Sequence, residues 1–340
     1  MNFSQEVQNF TRVDIVPLVV STVFESNTFS SMVLKNAKKF SSYEVTQPIK
    51  VTRSSTGGSF SGFDTFDRSQ SNVTQKLTYT PKHYYQSVTL AVTDISYNET
   101  QQKVIDLIKF EMESAADDMA EDIGTLMYGD GTGNGGKDFF GLEGIVDDGT
   151  NVGTYFGLSR ATYPTLNSTV DSSSNILSLT KLSSLYNAIT DGSIKPSHIF
   201  ADPEVKALYE ELVQATQRID TGARLAPGAG LKGELGFTDL GYKGMPFMDD
   251  RKAPSGNLYM LRMDDISFYA NRLHGYSPVK MNAIIKGTDY SKYPFSGFGW
   301  SGWTKTGNQA VVTGEFVLSG QITSRNPGRQ GKLTGITKTS

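Results

Sequence analysis

The chain contains 340 residues with a formal net charge of −3, and it has no cysteine. This length allows one large domain or two to three ordinary domains, each with a real hydrophobic core. The charge argues against strong non-specific binding to nucleic acid, which requires a basic surface, and the absence of cysteine excludes disulfides, thiolate metal sites and cysteine nucleophiles.

The N-terminal segment, residues 1–42, has no sustained periodicity. It begins MNFSQEVQNF, which lacks the basic and apolar regions of a signal peptide, and no run in the chain approaches the roughly 20 apolar residues of a membrane span. We therefore expect synthesis in the cytosol. The apolar stretch 13–24, VDIVPLVVSTVF, is interrupted by Pro17. It is either a strand or short helix packed on a core of its own chain, or an arm whose apolar partner lies on another subunit.

A long β-hairpin is predicted next, because apolar and polar positions alternate from Tyr43 to Val51. Further strands are predicted over 73–79 and 84–93, separated at Pro81. The stretch 55–72 between the first two strands is glycine-rich and polar, and it carries three phenylalanines: Phe60, Phe63 and Phe66. A two-stranded ribbon is marginally stable alone in water. We therefore expect this excursion to dock on another surface, with a neighbouring subunit as the natural candidate.

The longest helix signal in the chain runs from residue 98 to residue 128. Its apolar residues recur at steps of three and four: Ile105, Ile108, Met112, Ala115 or Ala116, Met119, Ile123 and Leu126. The opposite face is acidic, with Asp106, Glu113, Asp117 and Glu121. At a rise of ~1.5 Å per residue this helix is roughly 45 Å long. It has few basic partners for its acids, so we expect it to be stabilised by what packs along it.

Mixed α/β structure is predicted for the rest of the chain. Helices are expected over 179–189 and 203–219, the second begun by Asp202 and Pro203. A short strand, KPSHIFAD, lies between them, and a Gly- and Pro-rich segment follows over 222–256. Three later strands are predicted over 258–262, 266–272 and 310–322. The final sequence, RNPGRQGKLTGITKTS, is basic and rich in turn residues.

The most tempting chemical motif is the glycine-rich loop GDGTGNGG at 129–136. Gly131, Gly133 and Gly136 satisfy GxGxxG, and the stretch from Gly131 to Lys137 satisfies GxxxxGK. Both motifs bind phosphate only when a strand precedes the loop and a helix follows it. Here the loop follows a helix, and Asp138 occupies the position of the magnesium-binding Ser or Thr. Nucleotide binding is therefore not favoured.

The same loop also resembles a calcium-binding loop. The similarity rests on four residues: Asp130, Thr132, Asn134 and Gly135. Gly141, however, occupies the twelfth position, where a bidentate Glu is required. A flexible exit turn from the long helix is the preferred interpretation.

No other group of residues predicts catalysis. The three histidines, His83, His198 and His274, are isolated in sequence. Four acidic pairs, at 117–118, 147–148, 249–250 and 264–265, are interpreted as solvated acids because turns favour Asp and adjacent helical residues do not face each other. A last group is aromatic, Phe295, Phe298, Trp300 and Trp303. It could form a sugar-stacking platform, a packed sheet or a subunit contact. We predict no catalytic, cofactor-binding or metal-binding residues.

The order of these features resembles the tailed-phage major capsid proteins of the Hong Kong 97-like fold, which encapsulins share. Four phrases are also similar to that family: FFGLEGIVDDGT, SHIFADPEVKALYEEL, KGMPFMDDRKAPSGNLYMLRMDDI and NPGRQGKLTGI. The resemblance covers essentially the whole chain. It implies an α+β fold with an N-arm, an E-loop β-hairpin, a long spine helix, a P-domain sheet and an α/β A-domain.

The same resemblance implies domain boundaries. The N-terminal arm would be 1–42, the E-loop hairpin 43–95, and the spine helix with its following loop 96–150. The A-domain would be 151–265, the closing strands of the P-domain 266–327 and the C-terminal tail 328–340.

The function implied is structural and not enzymatic. The subunit would assemble as pentamers and hexamers into an icosahedral head that encloses double-stranded DNA without sequence-specific binding. The expected location is the virion capsid, assembled in the bacterial cytoplasm, with no membrane partner. A portal and a decoration protein are further possible partners, and a separate scaffolding protein is expected because the chain begins directly with a short arm.

Some relatives crosslink a hairpin Lys to an Asn of a neighbour. Lys76, Lys82 and Asn326 lie in the corresponding regions, but they cannot be aligned to the crosslinked pair, so no crosslink is predicted. The alternative functions are an encapsulin-like compartment shell, a phage-surface adhesin that uses the aromatics of 295–303, and a nucleotide-dependent enzyme that uses Gly131 to Lys137.

Overall fold

The computed structural model describes residues 11, 27–35, 37–40, 42–69, 72–97, 101–173, 176–216, 241–271, 277–278, 297–305, 307 and 309–337. The apolar stretch 13–24, with its two interpretations, lies outside these residues. His274 and Phe295 also lie outside them.

The helices of the described part are α1 (Thr28–Lys35), α2 (Val92–Tyr97), α3 (Gln101–Tyr128), α4 (Gly133–Gly136), α5 (Leu142–Ile145), α6 (Leu179–Ile189) and α7 (Pro203–Thr216). The strands are β1 (Lys38–Phe40), β2 (Val45–Lys50), β3 (Thr74–Tyr79), β4 (Lys82–Ala91), β5 (Thr154–Tyr155), β6 (Leu158–Ser159), β7 (Thr169–Asp171), β8 (His198–Ala201), β9 (Gly241–Tyr242), β10 (Met245–Asp249), β11 (Leu258–Leu261), β12 (Ile266–Asn271), β13 (Ser277–Pro278), β14 (Phe298–Trp300), β15 (Thr304–Lys305), β16 (Val311–Ser324) and β17 (Gly331–Leu333). Short 3₁₀ turns occupy Pro164–Leu166, Met263–Asp265 and Pro327–Arg329. No helix in this part of the chain is both long and apolar enough to cross a membrane.

The chain divides into two compact units. The first comprises residues 1–167 and 264–327, and the second comprises residues 168–263 and 328–340. Each unit is built around its own sheet.

The sheet of the first unit is organised by its longest strand, β16. The strand order is β1-β12-β16-β14-β13, and β4 and β15 also pair with β16. Strand β4 lies antiparallel to β16 over ten residues, from Lys82 opposite Gly320 to Ala91 opposite Val311. Four apolar side chains of β16, Val312, Phe316, Leu318 and Ile322, are buried on one face of the strand. From Phe316 onward the residues of the other face are buried as well.

Helix α3 confirms the long helix predicted from the apolar stripe. It spans 28 residues, and its buried side chains follow the predicted spacing: Ile108, Met112, Ala115, Ala116, Met119, Ala120, Ile123, Met127 and Tyr128. The pairs Asp117–Asp118 and Glu121–Asp122 are exposed on the other side. The sequence had the helix begin at 98; the structure places a separate short helix, α2, before it.

The sheet of the second unit has the order β7-β17-β11-β8-β10-β9. Helices α6 and α7 pack their apolar faces into its core, which contains Leu182, Leu185, Val205 and Tyr209 from the helices. The predicted bounds of α6, 179–189, are those observed. Helix α7 begins at Pro203 as predicted.

Three strands of the second unit, β9, β10 and β17, lie where turns or a tail were expected. Strand β10 occupies part of the Gly- and Pro-rich segment 222–256, and it pairs in parallel with β8. Strand β17 lies within 328–340, is buried, and pairs with β11 on one side and β7 on the other. A three-residue strand carries too little periodicity to be recognised from sequence.

Candidate assembly surface

The hairpin of β2 and β3 is a two-stranded ribbon that belongs to neither large sheet. The two strands pair antiparallel, from Val45 opposite Tyr79 to Lys50 opposite Thr74. Its inward residues are buried, namely Ile49, Val51, Leu77 and Tyr79. Almost every described residue from 52 to 69 is exposed. The hairpin predicted from sequence is thus confirmed, but β4, which was expected to continue it, pairs with β16.

The exposed loop of the hairpin carries the three phenylalanines noted in the sequence. Phe60, Phe63 and Phe66 are 67%, 104% and 58% exposed. The same loop is otherwise composed of glycine, serine, threonine and four charged residues. A cluster of apolar rings within a polar surface is the composition of a protein interface.

An aromatic cluster holds the base of the hairpin. The ring of Phe156 lies 4.7 Å from that of Tyr79, 4.7 Å from that of Phe140 and 4.8 Å from that of Tyr155. Phe156 occupies the left-handed region with φ of 43°, where a bulky residue is strained and needs compensating contacts. Tyr79 also stacks on Tyr269 of β12, at 5.9 Å between ring centres. The hairpin is therefore fixed to its unit at the base while its loop extends into solvent.

Three successive residues of β4 join three different elements. Lys82 Nζ donates to the carbonyl oxygen of Gly136, His83 Nδ1 lies 2.8 Å from Ser319 Oγ of β16, and the Tyr84 hydroxyl donates to Asp122 Oδ2 of α3 at 2.5 Å. Burial and the Asp122 carboxylate raise the pKa of Tyr84. This junction ties β4, the strand that follows the hairpin, to the end of the long helix.

A cleft of about 240 Å³ lies beside this junction. It is lined by residues of β4, the end of α3 and the glycine-rich loop, including Asp122, Lys137 and Asp138. The carboxylates of Asp122 and Asp138 repel anions, and Lys137 is their only charged counterpart in this lining. The cleft is therefore a poor site for phosphate.

The glycine-rich loop itself does not form a phosphate cradle. Gly131, Gly135 and Gly136 have positive φ values and Asn134 has φ of 50°, so the loop is a series of tight turns. Asp130 Oδ1 accepts from the backbone N–H of Thr132 at 2.9 Å, which occupies one of the donors that a phosphate would need. The described helix that follows, α5, has only four residues. The exit-turn interpretation therefore agrees with the geometry.

The phrase FFGLEGIVDDGT is organised by a residue that sequence analysis did not single out. Arg160 is completely buried. Its Nη1 donates to the carbonyl oxygens of Leu166, at 2.8 Å, and Asp147. Its Nη2 donates to those of Gly144, at 2.7 Å, and Ile145, at 3.1 Å. Burial lowers the pKa of the Arg160 guanidinium, and the nearby Asp147 opposes that shift.

Asp147 and Asp250 correct the interpretation of the acidic pairs as solvated. Both side chains are buried. Asp147 Oδ2 accepts from the backbone N–H groups of Gly149 and Val152, each at 2.9 Å. Asp250 Oδ1 accepts from that of Lys252 at 2.9 Å. These acids do stabilise turns, as predicted, but they do so inside the protein, because backbone donors replace the water that a carboxylate requires.

The remaining candidates show no catalytic arrangement. His83 lies in the first unit, and His198, whose Nδ1 is 2.9 Å from Ser197 Oγ, lies in the second. Among the described residues, no group of three or more His, Asp or Glu could hold a metal. Trp300 and Trp303 are buried and pack edge to face at 5.5 Å, so the packed-sheet interpretation is correct and the sugar platform is wrong for this pair.

The possible crosslinking residues are also placed. Lys76 is exposed on β3, Lys82 is engaged with the glycine-rich loop, and the half-buried Asn326 has its Nδ2 3.5 Å from Asp265 Oδ1.

Comparison with known proteins finds similarity in structure alone. No protein-family model matches the chain, and no curated protein matches its sequence. The cyanophage A-1(L) capsid subunit superposes with a TM-score of 0.68 at 13% identity, covering 91% of this chain and 93% of that one. The capsid of a native GTA particle gives 0.54 at 9% identity, covering 90% and 91%. The holo-SrpI encapsulin complex from Synechococcus elongatus PCC 7942 gives 0.51 at 12% identity, covering 90% and 86%.

Because the sequence identities are this low, the structural agreement establishes the fold and nothing beyond it. The chain has the α+β Hong Kong 97-like fold of phage capsid subunits, as the sequence resemblance predicted.

Proposed function

We propose that this chain is a structural shell subunit: the major capsid protein of a tailed phage, which assembles as pentamers and hexamers into an icosahedral head around double-stranded DNA. The observation that carries the proposal is the agreement in fold with a cyanophage capsid subunit over nine-tenths of both chains. Fold alone does not specify function, so the surface of the chain must supply independent support.

The hairpin supplies part of that support. Its base is fixed by the Phe156 cluster and its loop exposes three aromatic rings. Stable protein interfaces bury more than ~1,000 Å², and the exposed residues 52–69 can contribute to such a contact with a neighbour. A monomeric protein gains nothing from an exposed ribbon of this kind, whereas a shell subunit can use it to hold adjacent copies.

The charge distribution is compatible with a genome-filled shell. The chain has a net charge of −3. The exposed side of α3 carries two pairs of adjacent acids, Asp117–Asp118 and Glu121–Asp122. Nucleic-acid binding requires neutralisation of phosphates by Lys and Arg. A shell with acidic surfaces can enclose DNA without binding it tightly.

Within this proposal the segments take the roles that the resemblance implied. Residues 43–95 are the E-loop with its return strand, α3 is the spine helix, and the first unit's sheet belongs to the P-domain. The A-domain implied by the resemblance, 151–265, overlaps the second unit over residues 168–263. The partners are other copies of the chain, with a scaffolding protein and a portal during assembly in the bacterial cytoplasm.

The experiment is expression of the full chain, alone and with a scaffolding protein and portal from the same genome, followed by sedimentation and electron microscopy. We expect capsomers or closed shells. A chain that stays strictly monomeric under all these conditions would refute the proposal.

An encapsulin-like compartment is the second candidate, favoured by the fold agreement with the encapsulin complex. The contents of purified particles separate the two functions, because a phage head contains double-stranded DNA and a compartment contains protein cargo. The adhesin alternative loses its support, since Trp300 and Trp303 are buried.

Deletion of residues 55–72 tests the hairpin directly. The loop contributes little to the core, so the shortened subunit should stay folded and soluble but fail to form stable shells. Normal shells from this variant would show that the hairpin is not an assembly element.

A further inference from the structure

The end of the hairpin, residues 60–66 and here called the tip, has a defined local structure. The backbone N–H of Asp64 donates to the carbonyl oxygen of Ser61 at 2.9 Å, which closes a β-turn with Gly62 and Phe63 at its centre. Asp64 Oδ2 in turn accepts from the backbone N–H of Ser61 at 2.7 Å. The two hydrogen bonds fasten both sides of the turn.

Two of the three phenylalanines brace this turn from below. The rings of Phe60 and Phe66 pack edge to face with their centres 5.0 Å apart, a favourable aromatic geometry. They join the two chain segments that enter and leave the turn. Phe63, at the apex between them, is as exposed as a residue in an open peptide.

This arrangement holds one ring outward while its neighbours hold the backbone. A tip whose shape exists before binding loses less conformational entropy when it docks. The serines before the apex, Ser59 and Ser61, can form part of the hydrated rim that surrounds the apolar centre of an interface.

We propose that Phe63 is the anchor residue of a subunit contact, inserting into an apolar recess on a second copy of this chain, with Phe60, Phe66 and Asp64 as its supporting frame. The choice of a second copy rests on the proposed function. The tip cannot be covered by the body of its own subunit: Phe63 is fully exposed, and a Cβ added at Gly57, Gly58 or Gly62 would meet no atom within 4 Å. A projecting group on one surface and a recess on another form a heterologous contact, which produces a ring when the rotation between successive copies closes.

The test compares full-length variants in the assembly reaction. Phe63→Ala removes the anchor, Phe63→Leu keeps an apolar side chain, and Thr65→Ala is the matched control on the same turn. Truncation of an interface hot spot weakens a contact by roughly 30-fold or more. We therefore expect Phe63→Ala to raise the concentration needed for assembly by at least about tenfold, with Phe63→Leu recovering most of the loss and Thr65→Ala assembling like the wild type.

The frame is tested by Asp64→Ala, which should weaken assembly less than Phe63→Ala because the anchor is retained but less well held. All variants should keep the wild-type thermal unfolding of the free subunit, since none of these side chains is buried in it. Because the chain has no cysteine, Ser59→Cys provides a single thiol whose labelling reports burial of the tip. We expect rapid labelling in free subunits and protection in assembled particles.

The outcomes separate this inference from the proposed function. If the Phe63→Ala variant forms particles at the same protein concentration as the wild type, the role of Phe63 as an anchor is refuted and the shell function is left intact. Rapid thiol labelling in assembled particles would do the same. A wild-type chain that never assembles would overturn the shell function, and with it a second copy as the partner.

Discussion

Replacement of Arg160 by methionine is the sharpest test of how the loop after the long helix is held. The change keeps an unbranched side chain that replaces the aliphatic stem of the arginine in a fully buried position, and it removes the charge and every donor. Four carbonyl oxygens, those of Gly144, Ile145, Asp147 and Leu166, then lose their guanidinium partner.

The magnitude follows from these acceptors. A buried acceptor left without a partner costs about 1–3 kcal/mol, and removal of one charge from a buried network costs about 3–5 kcal/mol. The four lost hydrogen bonds at the low end of the first range give a similar figure, so we expect Arg160→Met to reduce the free energy of unfolding by about 4 kcal/mol. That is a large fraction of the roughly 5–15 kcal/mol by which natural domains are stable.

The assay is urea unfolding of the free subunit followed by tryptophan fluorescence. Both tryptophans, Trp300 and Trp303, belong to the same unit as Arg160, so the signal reports on the affected part of the chain. Arg53→Met is the matched control, because Arg53 is exposed and its loss should change stability by less than about 0.5 kcal/mol. Arg160→Lys should recover roughly half of the loss, since one ammonium group cannot replace a fork that reaches four carbonyls.

A loss below about 1 kcal/mol for Arg160→Met would refute the reasoning. It would mean that water or rearranged backbone satisfies those carbonyls and that the guanidinium does not organise the loop.

Other positions give simpler tests. Gly141→Ala should destabilise the subunit by about 3 kcal/mol, because a Cβ there would overlap the Met127 carbonyl and lie 2.7 Å from that of Leu126, whereas Gly153→Ala, with no atom within 4 Å, should be nearly neutral in the same urea titration. Burial and Lys82 lower the pKa of His83 below 6.5, so as the pH falls the unfolded chain protonates this imidazole before the folded chain does. Stability should therefore decline as the pH falls through about 6.5. His83→Gln should reduce this decline, and an unchanged pH profile of stability would contradict the half-buried position of His83. Neither ATP nor NAD should raise the melting temperature, although a ligand at 100 times its Kd would add roughly 2.7 kcal/mol, and a clear upward shift would restore the glycine-rich loop as a nucleotide site.

The sequence alone was sufficient for features that depend on local periodicity. The stripe of α3 follows from residues three and four positions apart, which lie on one side of any helix whatever it packs against. The alternation in β2 is equally local, and Asp202 with Pro203 predicts the start of α7. The order of these elements was enough to suggest the fold.

Partners distant in the chain could not be read from sequence. Strand β4 follows β3 after a two-residue connection, yet it pairs with residues 311–320. Strand β17, three residues long, is placed by β7 and β11 on either side. In both cases the partner is chosen by the whole sheet, since backbone hydrogen bonds carry no information about side-chain identity.

The same distinction applies to the candidate sites. Composition identified Phe60, Phe63 and Phe66 as an aromatic group in a polar loop, but only the tertiary structure decided that two of them brace the turn and one faces outward. The sequence assigned all the acidic pairs to solvent, whereas Asp147 is buried with Arg160 nearby. Local pattern therefore determined which segments are helix and strand. The fold decided which charges are buried and which rings stay exposed, because burial depends on residues far apart in the sequence.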